Sequence, residues 1–96
     1  MASIDIKRSH SLGKDEARKK AEELAKSMEG ELGIKWSWQG DSIKFDAPSG
    51  AAKGVNGSVD VDASSVRVQI DLPFLLKAIK GTIQGKVEEK LKNALG

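Results

Sequence analysis

The chain has 96 residues, of which 39% are hydrophobic and 31% charged, with no cysteine and one histidine. We therefore expect one small folded domain over residues 1–96, with no disulfides and hardly any ligands for a structural zinc site. Sixteen basic and 14 acidic residues leave a net charge of +2, which does not favour a nucleic-acid partner. No stretch approaches the roughly 20 apolar residues of a transmembrane helix, and the first ten residues lack the apolar core of a secretory signal, so the expected location is the cytoplasm.

A strand and an amphipathic helix are predicted from the first third of the chain. Residues 3–8 alternate between apolar and polar side chains, as in a strand with one buried face. The helix begins at residue 13 or 14, where two acidic residues in its first turn suit the helix dipole, and it ends between residues 30 and 33. Its buried side has helical spacing and is rich in alanine: Ala17, Ala21, Leu24, Ala25, Met28 and Leu32.

Four further strands follow, each with alternating apolar and polar residues. They cover residues 34–39, 43–47, 55–62 and 66–72. Gly40-Asp41 is a signal for a tight hairpin turn, and the longest connection is a flexible loop at residues 48–54. The alternation predicts a sheet with one buried face, and the short turns predict an antiparallel meander.

A second helix is predicted from Pro73 to the C-terminus, since proline is favoured at the first position of a helix. Its inner stripe consists of Leu76, Ile79, Ile83, Val87, Leu91 and Ala94. The resulting order, β-α-β-β-β-β-α, predicts an α+β fold in which a curved antiparallel sheet carries both helices on its apolar face. Such a two-layer sandwich is similar to a truncated helix-grip fold.

The second helix also carries a strip of residues that the core does not require. Phe74, Ala78, Gly81 and Gly85 fall on the side opposite the inner stripe. Two interior glycines cost about 0.8–1 kcal/mol each relative to alanine, whereas small residues at this spacing allow another surface to approach closely. We hypothesise that the strip is a contact surface for a second copy of the chain or for another partner; the alternative is that the glycines are simply tolerated on a well-packed helix.

No combination of residues indicates catalysis. His10 lacks the nucleophile and orienting carboxylate that a general base needs, so we expect it to bond the backbone or cap the first helix. Asp60 and Asp62 lie on one side of a strand, and two carboxylates at this spacing can hydrolyse glycosides when they line a cleft. Here they lie on the solvent face of the sheet, where charged residues that oppose aggregation are the favoured interpretation. Trp36 and Trp38 could stack on a base or a sugar, although their phase favours core packing. We predict neither an enzyme nor a bound metal or cofactor.

The order of short motifs along the chain is similar to that of a known family. The first strand runs into Arg8-Ser9-His10-Ser11-Leu12-Gly13, the first helix carries Glu16-Ala17-Arg18, and Trp38 precedes Gly40-Asp41 before the last strand reaches Leu72-Pro73. Over nearly its whole length the chain resembles the polyhydroxyalkanoic acid system family. The resemblance implies a small bacterial protein associated with polyhydroxyalkanoate genes, and it supplies no catalytic or cofactor motif.

Two functions of different kinds agree with these features. The resemblance favours a non-enzymatic accessory protein of the polyhydroxyalkanoate storage system, which binds a protein partner or the granule surface through the outer strip and is found in the cytoplasm at granules. The alternative is a protein that binds a small apolar ligand, such as an acyl group, between sheet and helix. An apolar cavity of about 300 Å³ or more would favour the ligand-binding protein.

Overall fold

The chain folds into one antiparallel sheet with two helices packed on one face. The computed structural model describes residues 3–50 and 52–95. Its elements are, in order, β1 (Ile4–Ser9), α1 (Lys14–Leu32), β2 (Lys35–Gln39), β3 (Ser42–Asp46), β4 (Asn56–Val61), β5 (Ser65–Asp71), a 3₁₀ helix (Phe74–Ile79) and α2 (Lys80–Leu95). This order and the antiparallel pairing confirm the predicted α+β fold.

The strands lie in the order β1-β5-β4-β3-β2 across the sheet. β2 to β5 form the predicted meander, in which each strand pairs with the next. The hairpin between β2 and β3 pairs Gln39 with Ser42 across the turn Gly40-Asp41. Gly40 has a φ of 64°, which residues with a side chain rarely adopt. β1 pairs instead with β5, so the first and last strands of the chain are neighbours.

The core lies between the inner face of the sheet and α1. The central strands contribute alternate residues to it: Ile43, Phe45, Val59, Val61, Val66, Val68 and Ile70. The alanine-rich side of α1 is buried as predicted, and only Leu32, at the end of the helix, is half-buried. Because alanine side chains are short, the helix lies close to the sheet and the larger strand residues fill the space between them.

One position of the sheet has no room for a side chain. Gly57 in β4 lies between Phe45 of β3 and Ile70 of β5. A Cβ atom added to Gly57 would lie 2.1 Å from the carbonyl oxygen of Gln69, 2.8 Å from Cζ of Phe45 and 3.0 Å from Cα of Ile70. The aromatic ring of Phe45 therefore covers the backbone of Gly57, and it supplies the contact that a glycine in a strand otherwise lacks.

The second helix differs from the prediction in its first six residues. Phe74–Ile79 is a 3₁₀ helix rather than the start of the α-helix. Pro73 precedes it in an extended conformation and no side chain caps it, and 3₁₀ turns are frequent at helix N-termini. Leu76 and Ile79 of the predicted inner stripe are three residues apart and align in a 3₁₀ helix, but neither is buried. Ile79, predicted in the core, is 48% exposed, and only Val87 and Leu91 of the stripe are buried.

The two halves of α2 have different surroundings as a result. The C-terminal half is anchored, because Val87 and Leu91 are buried and Lys90 Nζ donates a hydrogen bond to Ser27 Oγ of α1 at 2.8 Å. None of residues 74–86 is buried. The 3₁₀ helix and the first half of α2 therefore stand away from the sheet, and this region contains the site described next.

Candidate binding site at the 3₁₀ helix

Two large apolar side chains are exposed at the start of the 3₁₀ helix. Phe74 is 85% exposed and Leu75 is 84% exposed. Leaving such side chains in water forgoes roughly 1.5–3 kcal/mol of burial energy each. Single exposed apolar residues are common, but adjacent ones of this size are typical of contact surfaces. We call Phe74 and Leu75 the apolar tip.

The predicted strip on the outer side of the helix is only partly continuous. Phe74, Ala78, Gly81 and Gly85 are all exposed. In a 3₁₀ helix, however, residues three apart align, so Phe74 does not stack above Ala78 as it would in an α-helix. Leu75 was missed by the sequence analysis, because α-helical spacing placed it on neither the inner stripe nor the outer strip.

The two glycines of the strip are not required by packing. Across the residues that the structure describes, a Cβ atom added to Gly81 or Gly85 would have no atom within 4 Å apart from the helix backbone and chain neighbours. Neither glycine has a positive φ. The fold would therefore accept alanine at both positions, and packing within the chain does not require glycine there.

Only basic charges accompany the apolar tip. Lys77, Lys80 and Lys86 are exposed, and the sequence between Asp71 and Glu88 contains no acidic residue. A segment that combines exposed apolar side chains with basic ones fits an apolar surface that carries anionic groups.

An apolar groove of about 230 Å³ lies between the 3₁₀ helix, the first half of α2 and the end of the sheet. Its floor consists of buried side chains: Met28, Ala52, Val55, Ile70, Leu72 and Val87. Its wall consists of Leu32, Leu76, Ile79 and Ile83, which are half-buried or exposed. Leu76 and Ile83 are partly buried against the core, whereas Ile79 is 48% exposed. Its volume is below the 300 Å³ at which sites for drug-sized ligands begin.

Polar side chains stand at the rim of this groove. Lys90 binds Glu31 at 2.9 Å as well as Ser27, and its hydrogen bond, together with the charge of Lys86, lowers the pKa of the Glu31 carboxyl below the ordinary value. Thr82 and Lys86 are exposed at the rim. Within the described residues Lys86 forms no ion pair.

His10 makes contacts of a structural kind. Its Nδ1 accepts a hydrogen bond from the Leu12 backbone N–H at 3.1 Å, so Nε2 carries the proton and donates to the Asp62 carbonyl oxygen, also at 3.1 Å.

Asp60 and Asp62 do not act as a pair. The Asp60 carboxylate accepts a hydrogen bond from the Ser42 hydroxyl at 2.6 Å, whereas Asp62 follows the end of β4 and its carboxylate caps the next backbone N–H.

Comparison with known proteins identifies a family. One family model, described as "Putative polyhydroxyalkanoic acid system protein", matches residues 4–95. The chain belongs to this family. No curated protein and no solved structure matches the chain. Among the residues described, no helix is both long and apolar enough to span a bilayer, and no three or more potential metal ligands lie together.

Several of the motifs that carry the resemblance to this family meet at one corner of the fold. Arg18 of α1 donates hydrogen bonds to the Gly40 carbonyl oxygen at 3.0 Å and to the Asp41 carboxylate at 2.7 Å. Its guanidinium carbon lies 4.2 Å from the ring centroid of Trp38. Lys14 bonds the same carboxylate, and Lys14 and Arg18 together lower the pKa of Asp41. These residues fasten the β2–β3 hairpin to α1, which is a structural role.

The two tryptophans lie on the predicted face of β2 but are less buried than predicted. Trp36 and Trp38 are half-buried, because β2 is the edge strand and no further strand covers their outer side. Their indole N–H groups donate to carboxylates of α1, from Trp36 to Glu29 at 2.8 Å and from Trp38 to Glu22 at 3.1 Å. Both rings are therefore fixed against the helix rather than presented as a free stacking platform.

Proposed function

We propose that this protein is a non-enzymatic accessory protein of the polyhydroxyalkanoate storage system and that it binds the surface of polyhydroxyalkanoate granules in the cytoplasm. The apolar tip and the lysines at positions 77, 80 and 86 make the contact. The observation that carries the proposal is the 85% and 84% exposure of Phe74 and Leu75 in a stretch without an acidic residue. Family membership supplies the storage system as the context.

Two forces act together in this contact. Burial of the apolar tip contributes roughly 1.5–3 kcal/mol per side chain. Each lysine near an anionic surface adds about 1 kcal/mol. The sum corresponds to a reversible peripheral association rather than a permanent anchor, so the protein exchanges between the granule and its surroundings.

Co-sedimentation with isolated polyhydroxyalkanoate granules tests the proposal. The double variant Phe74→Ser, Leu75→Ser removes the apolar tip without opening the core, because both side chains are exposed. We expect the affinity for granules to fall at least about tenfold, the effect of losing the burial of a single such side chain, with unchanged circular dichroism. Raising the salt concentration should weaken binding by the wild-type protein, since salt screens the lysines.

A matched control separates this contact from general hydrophobicity. Leu12 is another large apolar residue, and 37% of it is exposed. It lies just before the N-terminus of α1 and is not part of the apolar tip. Leu12→Ser should bind granules as the wild type does. If the variant without the apolar tip binds as well as wild type and Leu12→Ser, the proposal is wrong.

The glycines of the predicted strip allow a second test. Gly81→Leu with Gly85→Leu should remain folded, because there is open space at both positions. If a granule component or a second copy approaches the backbone of α2 closely, this double variant loses granule binding or self-association. Retention of both properties would restrict the contact to the apolar tip and its lysines.

A further inference from the structure

We propose that the apolar groove is a binding site for an unbranched carboxylate of about six to eight carbons, a length set by the water-sized groups that the groove can hold. The aliphatic chain lies on the groove floor and the carboxylate lies beside Lys86. The site shares Lys86 with the proposed granule contact but uses neither Phe74 nor Leu75, and it is tested on the isolated protein without granules.

The volume of the groove determines the length of the chain. A volume of about 230 Å³ holds roughly eight groups of the size of a water molecule, about 30 Å³ each, and a methylene group is of similar size. A long acyl chain would project into water over half its length. The groove therefore accommodates only a short chain, unlike the larger cavity that an acyl ligand of helix-grip type would require.

The chemistry of the floor selects an aliphatic chain. Met28, Val55, Ile70 and Leu72 are buried, and none of their side chains offers a hydrogen-bond donor. A polar ligand placed on this floor would lose its hydrogen bonds to water without replacement, whereas an alkyl chain has none to lose. The flexible Met28 side chain adapts to small differences in chain shape.

The rim of the groove selects an anion. The charge of Lys90 is compensated by Glu31, with an N–O distance of 2.9 Å. Lys86 is exposed and forms no ion pair within the described residues, but its charge also lowers the pKa of Glu31. Two lysines therefore share one carboxylate, and the rim keeps a net positive charge. A ligand with its carboxylate at Lys86 and its chain directed inward places the carboxylate beside the ammonium group and the alkyl chain on the apolar floor. An ammonium head group would instead meet the excess positive charge of the two lysines.

Titration calorimetry with sodium octanoate tests this site. We expect saturable binding, and we expect affinity to rise about fourfold per methylene group from butanoate to octanoate, the value for burial of one methylene, and to level off at dodecanoate. Thr82→Trp fills the rim from an exposed position and should weaken octanoate binding at least about tenfold, the cost of displacing two methylene groups. Gln84→Trp is the matched control, because Gln84 does not line the groove and residues two apart on a helix do not face each other.

The charge requirement has its own comparisons. Lys86→Gln should weaken octanoate binding about two- to fivefold, the range for an exposed ion pair, and methyl octanoate should bind more weakly than octanoate. Methyl octanoate lacks the negative charge and also represents a chain linked as an ester, as in the polyester. If the wild-type protein and Lys86→Gln each bind octanoate and methyl octanoate equally well, the proposed carboxylate site is wrong. Equal effects of Thr82→Trp and Gln84→Trp, or affinity that keeps rising through dodecanoate, would overturn the assignment to the groove.

Discussion

Replacing Gly57 with alanine adds one methyl group at a crowded point of the sheet. The new Cβ atom would lie 2.1 Å from the Gln69 carbonyl oxygen and 2.8 Å from the Phe45 ring. The ring can turn aside, but the carbonyl belongs to the paired backbone of β5 and cannot move without disturbing that pairing. Overpacking typically costs 1–3 kcal/mol, and the backbone contact puts Gly57→Ala at the upper end, about 3 kcal/mol. A domain of this size has about 5–15 kcal/mol in total.

Urea unfolding followed by tryptophan fluorescence and by circular dichroism measures this loss. In thermal unfolding, the same loss of about 3 kcal/mol corresponds to a decrease of about 12–24 °C in Tm for a domain of this length. Gly81→Ala is the control, because the same methyl group meets open space there and no loss of stability is expected. If Gly57→Ala unfolds within about 0.5 kcal/mol of wild type, the range of an ordinary surface substitution, the close packing of Phe45 on Gly57 described above is incorrect.

Three further predictions concern the strip, the hairpin cluster and the histidine. Gly81→Ala and Gly85→Ala should each raise the free energy of unfolding by about 0.8–1 kcal/mol, measured by urea denaturation; a decrease would mean that α2 needs glycine for its own fold. Lys14 and Arg18 lower the pKa of Asp41, so the stability that wild type has over Asp41→Asn is present above the unfolded carboxyl pKa of about 4 and disappears as pH falls through the lower folded value. Unfolding of both proteins at pH 7 and pH 2 should show the difference shrinking, and a constant difference would refute the ion-pair explanation. His10→Ala should lower stability by about 1 kcal/mol through the lost hydrogen bonds, without loss of any metal binding; tight, stoichiometric Zn²⁺ binding by wild type that the variant lacks would show that His10 is a ligand.

Much of the fold follows from local periodicity in the sequence. The four strands of the meander alternate with a period of two, and the turn at Gly40-Asp41 fixes the register of the first hairpin. Both signals depend only on neighbouring residues. The buried side of α1 was predicted for the same reason, since Ala17 and Met28 belong to one continuous stripe with helical spacing.

What the sequence did not reveal depends on non-local geometry. The segment before α2 is a 3₁₀ helix that carries the exposed Leu75 and Ile79 and borders the groove, and no residue pattern in the sequence marked the change from 3₁₀ to α geometry. The position of β2 at the edge of the sheet, which leaves Trp36 half-buried, follows from strand order. The contact of Arg18 with the hairpin joins motifs more than 20 residues apart in the chain.

The pairing of β1 with β5 has a consequence for how the protein folds. The hairpins of the meander bring together residues that are close in the chain. In the β1–β5 pair, by contrast, even the nearest partners, Ser9 and Ser65, are separated by α1 and three strands. Closing so long a loop costs more chain entropy than closing a two-residue turn, so we expect the meander to form first and β1 to dock late. Substitutions in the β2–β3 hairpin should then slow folding, and substitutions in β1 should mainly accelerate unfolding. Because α2 packs on β1, the C-terminal helix gains its final support only when the first strand has arrived.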